Sequence, residues 1–313
     1  MNDNDKRFFE SWLKRRKSRL ADGTYSSEQS AVTAFTDFIE NEEVRLQNID
    51  FLIADNFISY LSNDKGLADN TVVNYYSKIQ QMYDYYIKAQ KLNKDNPFTD
   101  VDVSHLDYEN ASNEKVTLEQ AEVSALVNSM TEMRAKALFS FMATTGARIG
   151  EAIRLKRENI DLSERSATIV TLKNKDQDDR SVYFDRKARR HLDQYINQGH
   201  RSKYPDDDSE YVFITRVDDR ISRDRARVLF NKGVKNCSEI ENKLDYNDKA
   251  NGQMRSTITS HILRRSYAQN WINSGGDIMT LRNLMGWSDL ETAKQYLSED
   301  IDRDKVDRYG LNL

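Results

Sequence analysis

Four stretches of the chain carry side chains able to grip an anion. In the first, Thr144-Thr145-Gly146-Ala147-Arg148-Ile149-Gly150-Glu151, an arginine follows a glycine at a predicted helix start. Glycine lets backbone approach a ligand closely, and a helix start favours negative charge. A guanidinium can hold two phosphate oxygens at once. Glu151 lies three residues on, on the same helical face, and could brace Arg148. Taken alone, the pair reads as a surface salt bridge. In the second stretch, Ser260-His261-Ile262-Leu263-Arg264, His261 and Arg264 share a helical face. They offer an imidazole and a second guanidinium to a phosphate whose charge grows in a transition state. Alone, they read as a helix-surface pair. In the third, Leu284-Met285-Gly286-Trp287-Ser288, an indole N–H follows a helix break. Core packing is an equal reading of that tryptophan. In the fourth, Thr292-Ala293-Lys294-Gln295-Tyr296 places a phenol on a short helix. With 16 tyrosines in the chain, a structural role is the default for any one. Lys173 and Lys175, at a predicted hairpin tip, add ammonium groups, which at a loop tip are usually just solvated.

The elements that must position these groups follow from hydrophobic spacing. The first hundred residues read as four helices. Phe8, Phe9, Trp12 and Leu13 open one that ends in the basic run Lys14, Arg15, Arg16, Lys17. Ser26 or Ser27 is a candidate cap for a second, with Val32, Phe35, Phe38 and Ile39 at helical spacing. Phe51, Ile53, Phe57, Ile58 and Leu61 mark a third, and residues 71–92 a fourth, closed by Asn96-Pro97-Phe98. Polar, aperiodic residues then predict a linker over 101–116. Thr117 to Gln120 reads as a capping box, and residues 134–144 as a helix. Ala167–Leu172 and Ser181–Phe184 predict a β-hairpin. Helices over 187–197 and 222–235 flank a short strand at 211–215. Residues 238–256 read as an exposed loop, and 260–274, 277–285, 290–298 and 301–309 as helices.

Composition sets outer bounds. A chain of 313 residues suits two ordinary domains. With 31% charged residues, 2 prolines and 11 glycines, helices are favoured over a turn-rich β fold. The net charge of -4 gives no global positive field, although 47 Lys and Arg can cluster on one face. Cys237 is the only cysteine, which excludes a disulfide framework and a cysteine zinc site. The histidines, His105, His191, His200 and His261, form no metal-binding spacing. The acidic stretches 176–179 and 206–208 read as solvated turns. No apolar run reaches the ~20 residues of a membrane helix, and the polar N-terminus is not a signal peptide. These features predict a soluble, reduced, cytoplasmic protein.

Each stretch is weak alone, but their order is not. TGARIGE, a hairpin lysine, HILRRSYA and LMGWSDLETAKQY, with Tyr296 nine residues after Trp287, resemble the boxes of the tyrosine recombinase (phage integrase) family. The resemblance implies a mainly α fold (α+β). Its parts would be a four-helix core-binding domain over 1–100 and a mixed α/β catalytic domain with a small sheet over 117–313. It implies that Arg148 and Arg264 hold the scissile phosphate and that His261 bonds it and helps remove the tyrosine proton. Lys173 would protonate the leaving 5′-oxygen, Tyr296 would be the nucleophile, and Glu151 a support. Trp287 stands where the family usually has a second histidine; its N–H can donate to phosphate but cannot shuttle protons. The hairpin lacks the glycines common beside the family's lysine, which leaves Lys175 as a rival to Lys173. DNA contacts are expected from Lys14, Arg15, Arg16, Lys17, Lys175 and Arg265. The implied activity is site-specific cutting and rejoining of double-stranded DNA through a 3′-phosphotyrosine, with no cofactor, metal or ATP. The implied assembly is a homo-tetramer on two DNA sites, aided in some systems by accessory DNA-bending proteins, with residues 300–313 docking on a neighbour. A type IB topoisomerase-like enzyme and a catalytically dead, integrase-derived DNA-binding protein are the alternatives.

Overall fold

Asn2 starts the first helix: its side-chain oxygen accepts from the Asp5 N–H at 2.8 Å. From there α1 (Asp3–Lys17) runs with acids in its first turn and four cations in its last, as the helix dipole prefers. The structure is a computed structural model that describes residues 1–20, 22–106, 116–170, 179–204, 208–217, 219–243, 246–248, 254–256 and 258–287. The expected helices 290–298 and 301–309 lie outside the described residues.

The chain divides into two compact units, the first being essentially Met1–Glu114 and the second starting at Lys115. In the first unit α1 is followed by α2 (Asp22–Asn41), α3 (Phe51–Ser59) and α4 (Asp69–Gln90), the four helices expected. The cap expected at Ser26 or Ser27 is not one. Both serines lie inside α2, and the Ser27 hydroxyl turns outward to Asn74 on α4. Phe9, Phe35, Phe57, Tyr83 and Phe98 centre an aromatic core. Buried phenols in it keep partners, Tyr76 donating to the Phe98 carbonyl and Tyr83 to that of Leu46. Burial pushes both phenols well above their ordinary pKa. Val101 is buried on the same core, and Val103 and Leu106 pack against it.

The second unit is built around α6 (Met133–Thr145). Its Leu138, Phe139, Phe141 and Met142 are buried against residues of α8 (Arg186–Asn197), α9 (Arg223–Lys235) and α10 (His261–Asn273). The entry to α5 (Gln120–Asn128) differs from expectation. Leu118 is buried, and its N–H and C=O are held by Ser266 and Asn270 of α10. The helix therefore begins later, and Glu122 rather than Gln120 reaches back to the chain, accepting from the Glu119 N–H at 2.7 Å. After the four-residue α7 (Ile149–Ala152), β1 (Ile160–Asp161), β2 (Ser166–Ile169) and β3 (Arg180–Tyr183) form an antiparallel sheet in chain order. The predicted hairpin is β2–β3; β1 was not expected, being only two residues long. Ala167, Ile169 and Val182 face the core.

Two further expectations fail. Residues 211–215 form no strand but a single bridge, Lys156 to Tyr211. The buried Arg201 side chain takes the carbonyls of Ser209, Tyr211 and Val212, which would otherwise build a ladder. The expected loop 238–256 contains a 3-10 helix (Ser238–Lys243) and a hairpin of β4 (Tyr246–Asp248) and β5 (Met254–Ser256). Ile240 anchors that 3-10 helix in the core, and Cys237 is buried beside it. The last described helix is α11 (Ile278–Met285), capped by Asp277 accepting from the Thr280 N–H.

Candidate active site

Two chain reversals bring the first and third motifs together. At the end of α6, Gly146 takes a positive φ of 67°, and at the end of α11 Gly286 takes 58°. Both turns are tightly packed. A Cβ on Gly146 would lie 2.6 Å from Met285 Sδ, and one on Gly286 would lie 2.9 Å from Arg180 Nη1. Only glycine meets both the backbone and the space requirement.

Arg264, on α10, staples the two turns. It is 2% exposed and donates from Nη1 to the Gly146 carbonyl and from Nη2 to the Met285 carbonyl, each at 2.7 Å. Its Cζ lies 6.0 Å from the centroid of the Trp287 ring, within cation–π range. Trp287 is buried and its backbone N–H caps α11 by donating to Arg282.

Arg148 is placed differently. It precedes α7, and its side chain is 44% exposed. A helix of four residues has little dipole, so its hold on an anion must come from the guanidinium. Glu151 accepts from the Arg148 backbone N–H at 2.8 Å and from Nη1 at 2.9 Å, as the three-residue spacing predicts. Sequence reasoning missed a second partner of Glu151. Arg180, on β3, donates from Nη2 at 2.7 Å, and from Nε to the Leu284 carbonyl at 2.9 Å. Burial by itself would raise the Glu151 pKa. The bond to Arg180 and its charge, and then Arg148, outweigh this and hold the carboxyl below its usual range.

His261 is the first residue of α10 and stays exposed at its surface. Partial dehydration, then the charges of Arg264, Arg265 and Arg148, lower its pKa from the ordinary 6.5. These charges put Arg148, Arg264 and Arg265 in one electrostatic neighbourhood with the imidazole. Arg223, another residue that sequence reasoning passed over, lies against α7. Its Nη2 is so close to Gly150 that a Cβ there would be 2.7 Å away. In the sequence, Arg223 was visible only as the second residue of the helix expected over 222–235.

Thus Arg148, Glu151, His261, Arg264, Arg265 and Trp287 gather at one end of α6. Tyr296, Lys173 and Lys175 lie outside the described residues. Among the described residues, no group of three or more His, Cys, Asp or Glu is placed to hold a metal ion. No helix among them is long and apolar enough to cross a membrane.

In the first unit, Lys14, Arg15 and Lys17 are exposed on α1. Arg15 lies over the Tyr85 ring at 4.5 Å. Arg16 is occupied internally, donating to Gln81 and, at 3.0 Å, to Glu28, which is 1% exposed and also accepts from the Trp12 indole.

The chain is similar in sequence and in fold to known proteins. The chain is 23% identical over 285 residues to the tyrosine recombinase XerC of Staphylococcus aureus (strain MSSA476), covering 88% of this chain and 86% of that one. Its fold matches the Tn1549 transposon integrase in complex with transposon right end DNA (TM-score 0.74, 16% identity, 97% of this chain and 99% of that chain). It also matches the lambda integrase dimer bound to a COC′ core site (TM-score 0.68, 13% identity, 95% and 98%). Residues 6–103 match the phage integrase SAM-like domain and residues 116–303 the phage integrase family. On that match, with the two arginine boxes and the Gly-Trp step inside it, the chain belongs to the phage integrase family of tyrosine recombinases.

Proposed function

We propose that this protein cuts and rejoins double-stranded DNA at a defined site through a covalent 3′-phosphotyrosine on Tyr296. The observation that carries the proposal is the convergence of Arg148, His261 and Arg264 from distant stretches of sequence. That several matched structures are recombinases bound to DNA supports a DNA partner.

A phenol has an ordinary pKa of about 10 and needs strong positive surroundings or a base to attack. The guanidinium groups supply that charge and also stabilise the pentacoordinate phosphorus. Tyr296 Oη forms a bond to phosphorus as the bond to O5′ breaks. The phenolic proton passes toward His261, whose depressed pKa keeps it able to accept. The leaving O5′ takes a proton from Lys173 or its rival Lys175. Ester energy is retained in the phosphotyrosine, so attack by a second strand's 5′-hydroxyl reverses the chemistry without ATP. Because side chains supply the positive charge, we propose a metal-independent route.

We read the first unit as a second DNA-gripping domain, with Lys14, Arg15 and Lys17 as its phosphate contacts; these position a protein on DNA without reading sequence. Arg16 has a structural task in holding Glu28. Four protomers on two sites is the working assembly, and the mass of the complex on paired sites checks it.

A nicked candidate site, on which the cleaved fragment diffuses away, tests the chemistry. Wild type should give an adduct that survives denaturant, and Tyr296→Phe should bind the same DNA without one. A wild type that binds but forms no adduct supports the inactive binding protein. Adducts at unrelated sequences, with relaxation of supercoils, support the topoisomerase-like alternative.

A further inference from the structure

We propose that Arg180 is a positioning residue that sets the orientation of Arg148 toward the scissile phosphate. The inference rests on the reading of the site as a phosphoryl-transfer centre.

Arg180 has an unusual place for an arginine. It is the first residue of β3, paired with Ile169 of β2, and shares a strand face with Val182, which is fully buried. Its side chain is only 11% exposed. A cation on the inward face of a strand is costly unless every donor finds a purpose. Here Nη2 and Nη1 donate to the two oxygens of Glu151, at 2.7 and 3.4 Å, and Nε donates to the Leu284 carbonyl. The guanidinium plane also forms the floor under Gly286.

Each contact leads to the site. Glu151 is the carboxylate that holds both the backbone and the side chain of Arg148. Arg148 is exposed, so by itself its pairing with a carboxylate would be loose. By gripping the other side of Glu151, Arg180 converts a mobile surface pair into a fixed bracket. The bond to Leu284 ties that bracket to the turn carrying Gly286 and Trp287. Arg264 ties the same turn to Gly146. One buried guanidinium and one largely buried one therefore frame the exposed one. Arg180 does not need to touch DNA; it acts through Arg148 and the Trp287 turn.

A structural brace and a positioning residue differ in how they respond to substrate charge. The test uses the full chain and a nicked site carrying either an ordinary scissile phosphate or a methylphosphonate, in which one charged non-bridging oxygen is a methyl group. Arg180→Gln should slow single-turnover cleavage of the ordinary substrate by about 10- to 100-fold, the range expected when a catalytic group is displaced by about an ångström. DNA affinity should change less than about threefold, since phosphate contacts elsewhere are intact. On the methylphosphonate the variant-to-wild-type ratio should rise toward one, because the charge that Arg148 must meet is reduced. Arg180→Lys keeps the pairing with Glu151 but loses the fork, and should fall between the two.

Equal slowing on both substrates, in step with a fall in melting temperature, would reduce Arg180 to a structural brace. Wild-type cleavage rates in both variants would remove it from the site altogether. If Arg180→Gln does not fold, Arg180→Lys alone decides, by the same ratio. Absence of any wild-type adduct would overturn the phosphoryl-transfer reading and this inference with it; a normal wild-type adduct with unaffected variants overturns this inference only.

Discussion

Glu151→Gln isolates the bracket, since it removes one charge and almost no volume. The carboxylate accepts from Arg148 N, Arg148 Nη1 and Arg180 Nη2, all within 2.9 Å. The Arg148 side-chain limb is solvated and contributes about 0–1 kcal/mol. The Arg180 limb is largely buried, and a hydrogen bond between charged groups contributes about 1.5–3 kcal/mol. Glutamine also turns an NH2 group toward one of the guanidiniums and leaves a buried cation without its counter-charge. Full isolation of such a charge costs about 3–5 kcal/mol. Arg180 keeps its Leu284 carbonyl, so about 2–4 kcal/mol is the expected loss. For a domain of this size that lowers the melting temperature by about 4–16 °C. The pH dependence gives the sign. Glu151 titrates below its ordinary value when folded, so its contribution is complete above the unfolded pKa of about 4.3 and is lost as pH falls through the folded value. The gap between wild type and variant should be full at neutral pH and close under acid. Melts followed by circular dichroism between neutral pH and about pH 3 measure it. A neutral-pH difference under about 1 °C, or a gap that persists unchanged in acid, would refute the bracket.

Four further outcomes are expected. Cleavage by wild type should lose rate as pH falls through the lowered pKa of His261, with the acid limb below the ordinary 6.5; a limb above that value would contradict the fixed-charge environment. Gly146→Ala must carry a Cβ at positive φ against Met285 and Tyr267, and should lose at least about 1–3 kcal/mol in urea unfolding. Lys173→Ala should recover cleavage on a 5′-bridging phosphorothiolate, because a thiol, with pKa about 8.5, leaves without a proton; recovery in Lys175→Ala instead would reassign the acid. Adduct formation should persist in EDTA, and its loss on chelation would end the metal-independent route.

Legibility followed the range of the interactions. Where a motif is local, the residues declared it. The three-residue spacing of Arg148 and Glu151 gave their bond, and apolar spacing over 71–92 gave α4 within two residues at each end. Capping was less readable, because Ser27 and Leu118 take partners from distant helices in place of their own backbone. The strand expected at 211–215 failed for the same reason, its carbonyls being taken by Arg201. Arg180 was the largest omission. It was left just outside the predicted strand, although the alternation of Val182 and Phe184 extends back to it and places a cation facing inward. A charged residue in an inward register is a usable signal, and here it points at the site. Nothing local could have named its partners, which lie 29 and 104 residues away.

The division between buried and exposed guanidiniums also bears on how a chain of net charge -4 can attract DNA. Without a global positive field, attraction must come from local charge, and like charges at close range oppose one another. The fold handles this by giving each arginine a different counterpart. Arg264 is dispersed onto two carbonyl dipoles, Arg180 is neutralised by Glu151, and Arg148 shares that same carboxylate from the solvent side. One carboxylate between two guanidiniums leaves the pair with a net positive charge. That excess is held in place before any substrate arrives, so little reorganisation is needed when phosphate charge develops. It also predicts an ordering of salt effects. Binding, carried by exposed residues such as Lys14 and Lys17, should weaken steeply with salt. In the saturated complex the proposed site, the exposed Arg148 included, would be covered by DNA and screened far less, so the rate should stay nearly flat. A cleavage rate of the saturated complex that fell as steeply as affinity would mean that the working charges are solvent-borne, and that the buried framework does not set them.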